Sequence, residues 1–115
     1  MKRGEVFWAD LKPRSGAEQS GRRLVIIISN DGFNLTPTWR SILVVPVSTS
    51  GAQARRGPTA VPMPSGAAGL PRDSVALCHR VTTLDRAKLS ARAGVLSAGM
   101  LAAVEAGLKA ALDLD

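Results

Sequence analysis

Residues Arg23–Ser29 read RLVIIIS, an unbroken β-branched run with no polar face. Such a run suits a strand buried on both sides. The rest of the chain must then supply neighbours and layers for it. Other short apolar runs follow, each cut off by turn chemistry. Glu5–Leu11 (EVFWADL) reads as a first strand, and Lys12–Arg22 (KPRSGAEQSGR) as a polar, Gly-rich loop. That loop is long for a mere connection, and long loops in compact domains are often functional. Asn30–Thr38 is turn-like, and Trp39–Ser48 (WRSILVVPVS) is a further strand. Pro46 cannot donate to a ladder, so its end of that strand should be an edge or a bulge.

Thr49–Gly57 reads as a basic, small-residue loop, Pro58–Met63 as a short strand and Pro64–Leu70 as a turn. Asp73–Val81 (DSVALCHRV) alternates, with Val75, Leu77, His79 and Val81 on one face. Thr83–Ala91 could hold a short helix. Ser97 is placed to cap a helix over Ala98–Leu112, whose Leu101, Val104, Leu108 and Leu112 form one stripe. Short strands followed by one amphipathic helix describe an α+β fold, a small curled antiparallel β-sheet or SH3-like barrel with a C-terminal helix. At 115 residues this is a single domain over 1–115. Hydrophobic residues make up 45% and aromatic ones only 3%, so the core should be aliphatic.

The net charge of +6 is unevenly spread. Glu105, Asp113 and Asp115 against Lys109 leave −2 on residues 97–115, so the first 96 carry +8. Eleven of the 15 basic residues are Arg, whose planar fork suits phosphate and stacks on bases. RNA, DNA or an acidic protein all fit that balance, as does a merely soluble Arg-rich chain. The lone Cys78 excludes an intramolecular disulfide and a Cys-based zinc site, and a reducing cytoplasm is the default. No apolar run is long enough to span a membrane, and the N-terminus does not read as a signal peptide.

Most enzyme constellations are missing. One histidine cannot make a two-His acid/base pair, and the scattered carboxylates offer no two-metal cluster. Cys78 and His79, adjacent in a strand, would point to opposite faces and could not work as a nucleophile–base pair. Arg, Ser, Thr and amides remain. Such a set can still cleave RNA, because the substrate brings its own nucleophile, the 2′-hydroxyl. The protein need only orient it, neutralise the phosphorane and protonate the leaving 5′-oxygen, with no metal or other cofactor.

At this point the sequence resembles a known family. RGEVFWADLKP, GAEQSGRRLVIIISND, VVPVSTS and LPRDSVALCHRVTTLDRAKL, in that order, are similar to successive segments of the MazF/PemK/Kid toxin ribonucleases, and the last helix fits theirs. The likeness runs from about Arg3 to Leu112. It implies a toxin of a type II toxin–antitoxin system. Such a toxin is a homodimer that cuts single-stranded mRNA at a short motif, leaving a 2′,3′-cyclic phosphate and a 5′-hydroxyl. It also implies a MazE-like antitoxin whose flexible, acidic tail lies along the toxin groove.

By the same resemblance the catalytic arginine falls on Arg23. Arg22 beside it could share or take over the phosphate contact. The family's threonine position falls on Ser48, a departure that keeps a hydroxyl, with Thr49 as a substitute. Glu18 and Gln19 occupy the family's EQ loop and could position Arg23 or read a base. Arg80 stands where Gln is common and could grip phosphate or guanine, or form a sheet-face salt bridge. Arg55 and Arg56 could clamp RNA, meet the antitoxin tail, or be solvated. A guanidinium stays protonated, so electrostatic stabilisation and leaving-group protonation are easier to defend for Arg23 than base action. Two other readings fit the same fold, a CcdB-like gyrase-binding toxin without nuclease chemistry and a non-catalytic RNA-binding module. The GRRL arginine and the VVPVS hydroxyl favour the enzyme.

Overall fold

The computed structural model describes residues 1–11, 21–49 and 57–115. Within them, seven strands form a wholly antiparallel sheet: β1 (Glu5–Leu11), β2 (Gly21–Ile27), β3 (Ser41–Ser48), β4 (Ala60–Met63), β5 (Ser74–Leu77), β6 (Thr82–Asp85) and β7 (Leu89–Val95). A four-residue helix α1 (Asp31–Asn34) follows β2, and α2 (Ala98–Leu112) closes the chain. The spatial order is β4-β5-β3-β2-β1-β7, with β6 also on β3. This is the expected α+β sheet with a C-terminal helix.

The RLVIIIS run does what its composition demands. Leu24 and Ile26 enter one apolar cluster with Val6, Val45, Val47 and Val104, while Val25 and Ile27 enter a second with Ala9, Ile42 and Val44. Alternate residues of one strand thus serve two cores, and all four are buried. Helix α2 lies on the first cluster. Ser97 Oγ accepts from the Met100 amide at 3.1 Å and caps it. Val104 is fully buried, a contribution of about 1.5–3 kcal/mol. Leu101 and Leu108 pack beside it, but Leu112 is exposed, so the stripe is one turn shorter than its spacing suggests.

Several strand ends shift from the sequence reading: β2 takes in Gly21 and Arg22 and stops at Ile27, β3 begins at Ser41, and Pro58–Thr59 lie in a 3-10 turn ahead of β4. Two further segments differ in kind. Thr83–Ala91 is not helical. It holds most of β6, a 3-10 turn at Arg86–Lys88 and the start of β7. β6 completes the free edge of β3 from Ser41 to Val44, and β7 pairs with β1. Tertiary pairing overrides the helix propensity of Leu, Arg, Ala and Lys here. The strand expected over Asp73–Val81 stops at Leu77, and Cys78–Arg80 forms a 3-10 turn. Cys78 is buried under α2 with its Sγ donating to the Val104 carbonyl, while His79 and Arg80 are exposed. The alternation expected to continue through His79 is therefore broken.

One close approach ties the upper loops to the sheet. The 3-10 turn Ala67–Gly69 lies backbone to backbone on β7. A Cβ on Gly94 would sit 2.4 Å from the Ala68 carbonyl carbon and oxygen, and one on Gly69, whose φ is +75°, 2.1 Å from the Ala93 oxygen. Only glycine fits at either place. Leu70, next in the chain, is buried and anchors the segment that leads into β5.

Candidate active site

The cleft forms because β3 changes partners. β2 and β3 pair from Ile27↔Val44 to Val25↔Pro46, where the ladder stops. On its other edge β3 pairs with β6 through Val44 and with β5 only from Val47 onward. Val45 and Pro46 lie in the gap, and a residue without an N–H is suited to it. Pro46 therefore marks an interruption, as its chemistry requires, although in mid-sheet. Beyond it, the start of β2 and the end of β3 separate around a cavity of about 560 Å³.

That cavity is lined by Arg22, Arg23 and Leu24 from β2, Val47, Ser48 and Thr49 from β3, Trp8 from β1, and Pro71, Arg72 and Ser74 at the entry to β5. Continuing the β2–β3 register by two residues sets Arg23 level with Ser48. The two residues named for catalysis thus meet in one cleft with Arg22 and Thr49, although 25 positions apart in the chain. Arg22 lies diagonally across the β1–β2 ladder from Trp8, whose partner is Leu24. Its guanidinium carbon stands 4.6 Å above the Trp8 ring, a cation–π contact that holds the charge at the cleft wall.

The distribution of ion pairs sets this cleft apart. Arg3, Arg40 and Arg92 hold Glu105, Asp85 and Glu5, and Arg86 donates to the carbonyls of Phe33, Thr36 and Trp39. Among the described residues no carboxylate pairs with Arg22, Arg23 or Arg72. Three exposed guanidiniums line one cavity, and among the described residues none forms an ion pair, an arrangement suited to an anion.

Arg80 also has no ion pair among the described residues, but it does not line this cleft. Glu18, Gln19, Arg55 and Arg56 lie outside the described residues. Trp39 is 45% exposed and stacked on Phe33, with ring centres 4.4 Å apart. Trp8, Arg72 and Ser74 were not singled out in the sequence. Trp8 and Arg72 both lie in segments that carry the family resemblance, but Trp8 reaches the cleft only through its ladder position and Arg72 only through the bend that enters β5.

Burial pushes the Cys78 thiol up to about 11, so no thiolate nucleophile is available at neutral pH. Among the described residues no three His, Cys, Asp or Glu side chains gather as metal ligands, and no helix is long and apolar enough to cross a membrane.

The family model for the PemK-like, MazF-like toxin of type II toxin–antitoxin systems matches residues 2–112. Endoribonuclease EndoA of Bacillus subtilis is 36% identical over 115 residues, covering 99% of this chain and 96% of that one. Endoribonuclease MazF6 of Mycobacterium tuberculosis is 34% identical over 99% of this chain and 98% of its own. Among solved structures, the M. tuberculosis toxin MazF-mt6 superposes with a TM-score of 0.78 at 25% identity, covering 96% of this chain and 98% of the other. A MazE–MazF crystal structure from Deinococcus radiodurans superposes with a TM-score of 0.76 at 25% identity, covering 100% and 97%. A sheet that parts past Pro46, leaving Arg23 and Ser48 on one cavity, is thus found in a chain that belongs to the PemK-like, MazF-like toxins of type II toxin–antitoxin systems.

Proposed function

We propose that this chain, a toxin endoribonuclease of the PemK/MazF family, cuts single-stranded RNA in the Arg22–Arg23–Ser48 cleft without a metal ion. The observation that carries the proposal is the meeting of Arg23 and Ser48 at a cavity whose arginines have no carboxylate partner among the described residues. A scissile phosphate seated there would receive charge and hydrogen bonds from Arg23 and a hydroxyl contact from Ser48, with Arg22 and Thr49 beside them. The 2′-hydroxyl gives its proton to solvent and its oxygen bonds to phosphorus. The P–O5′ bond breaks, and the departing 5′-oxygen takes up a proton. A cyclic 2′,3′-phosphate and a 5′-hydroxyl result. The guanidinium stabilises the doubly charged phosphorane more than the ground state, which is what accelerates the step. DNA lacks the attacking hydroxyl and is not a substrate.

The chain works as one domain and as a homodimer in the cytoplasm, where a single buried cysteine needs no oxidising compartment. A MazE-like antitoxin with an acidic tail would cover the cationic cleft. Glu18, Gln19, Arg55, Arg56 and Arg80 remain candidates for RNA contacts. The test is digestion of a long RNA in EDTA with end-mapping of the fragments. Cyclic-phosphate ends at a recurring motif are expected, and no cutting at a 2′-deoxy sugar. RNA left intact at high protein concentration, or equal cutting at the deoxy site, overturns the proposal.

A further inference from the structure

Of the three guanidiniums around the cavity, two come from β2, and the third, Arg72, comes from the opposite rim. Its backbone is firmly held. The Ser65 amide donates to Asp73 Oδ1 at 2.8 Å, Ser74 Oγ donates to the Arg72 carbonyl at 2.8 Å, and Leu70 and Ser74 are buried on either side. Asp73, the nearest acid in sequence, is turned to that amide and forms no ion pair with Arg72. The rim is thus rigid, its carboxylate is occupied, and its arginine side chain is exposed at the cavity wall.

The register gives the offset. Ser48 pairs with Val75, so Arg72 lies three residues before the partner of Ser48, in the bend that leads into β5. RNA held at the scissile phosphate by Arg23 and Ser48 must pass that rim. We propose that Arg72 grips the phosphate neighbouring the scissile one, as a substrate-binding residue that fixes how the strand lies in the cleft. This rests on the RNA-cleaving reading of the site. The contact is made equally in the ground and transition states, so it lowers KM and leaves kcat alone.

The experiment uses the full chain and its Arg72→Ala, Arg72→Lys and Arg23→Ala variants. Initial rates are measured on RNA containing a mapped cut. Binding is measured by fluorescence anisotropy against salt, with the same RNA bearing one 2′-deoxy sugar at the cut. Arg72→Ala should raise KM about tenfold, the worth of one charged hydrogen bond, with kcat within about twofold. Its slope of log affinity on log salt should be shallower by about 0.7, one phosphate on a single strand. Arg72→Lys should keep the wild-type slope and recover part of the KM. An unchanged KM and slope in Arg72→Ala overturns the inference. So does a wild-type slope with a changed cut motif, which would make Arg72 a base reader. Failure of the parent reading looks different, since the wild type would then not cut in chelator, or Arg23→Ala would cut like it.

Discussion

Gly94→Ala tests the contact that holds the cleft rim. The added Cβ would lie 2.4 Å from the Ala68 carbonyl carbon and oxygen and 3.0 Å from the Gly69 nitrogen, where ordinary contact begins at 3.4 Å. The turn must therefore withdraw by roughly 1 Å, and no rotamer can absorb the overlap because both sides are backbone. Overpacking of this kind costs about 1–3 kcal/mol or more. At about 4 °C per kcal/mol for a chain of this size, the melting temperature should fall by about 4–12 °C. Gly99→Ala is the matched control. It sits in the first turn of α2 with nothing within 4 Å of its would-be Cβ, and should stabilise by about 0.4–1 kcal/mol. Gly66→Ala also meets open space but at φ +90°, and should cost about 1–2 kcal/mol from backbone strain alone. Thermal and urea melts followed by circular dichroism read all three. Because Leu70 leads from the turn to Pro71 and Arg72, folded Gly94→Ala should also show a raised KM. A Gly94→Ala protein melting at or above wild type would refute the backbone contact and the rim it supports.

Arg23→Ala should abolish RNA cutting in chelator while leaving the melting temperature within about 2 °C, since exposed side chains rarely contribute more than about 0.5 kcal/mol; a folded, fully active variant removes Arg23 from the mechanism. Acid should weaken the fold through Asp31 and Asp85. The Asn34 amide and the Arg3 backbone N–H hold the Asp31 carboxyl below its ordinary 3.8, and the Ala87 N–H and Arg40 do the same for Asp85. With folded values below unfolded ones, the unfolded chain binds more protons, so this stability is present above 3.8 and drains away as pH falls through the folded values. Urea midpoints measured below about pH 5 should fall less steeply in Asp31→Asn than in the parent, and identical slopes would contradict the assigned hydrogen bonds.

How much was legible depended on whether the signal was local. The β1 range, Glu5–Leu11, and the α2 range, Ala98–Leu112, coincide with the sequence reading, because turn residues and a serine cap delimit them. The double burial of Leu24–Ile27 follows from composition alone. The residues Thr83–Ala91 misled because their strand state depends on edges offered by β3 and β1, which no local pattern displays. At the site, Arg23 and Ser48 were named through a family resemblance, and the register explains why two distant segments meet. Arg72 and Trp8 were illegible for the opposite reason, since only the crossing of β5 and the diagonal of the β1–β2 ladder bring them to the cavity.

The exchange of partners by β3 separates two jobs that a single strand usually confounds. Val44 stands in both ladders, opposite Ile27 of β2 and Thr82 of β6, so a slip of one position there would turn both apolar clusters inside out. Past the proline, only one flank is constrained. Substitutions at Thr49, just past the end of β3, can therefore alter what the mouth accepts at little expense to folding. A lineage of such toxins could diversify its RNA targets at the cleft mouth while inheriting an unaltered sheet.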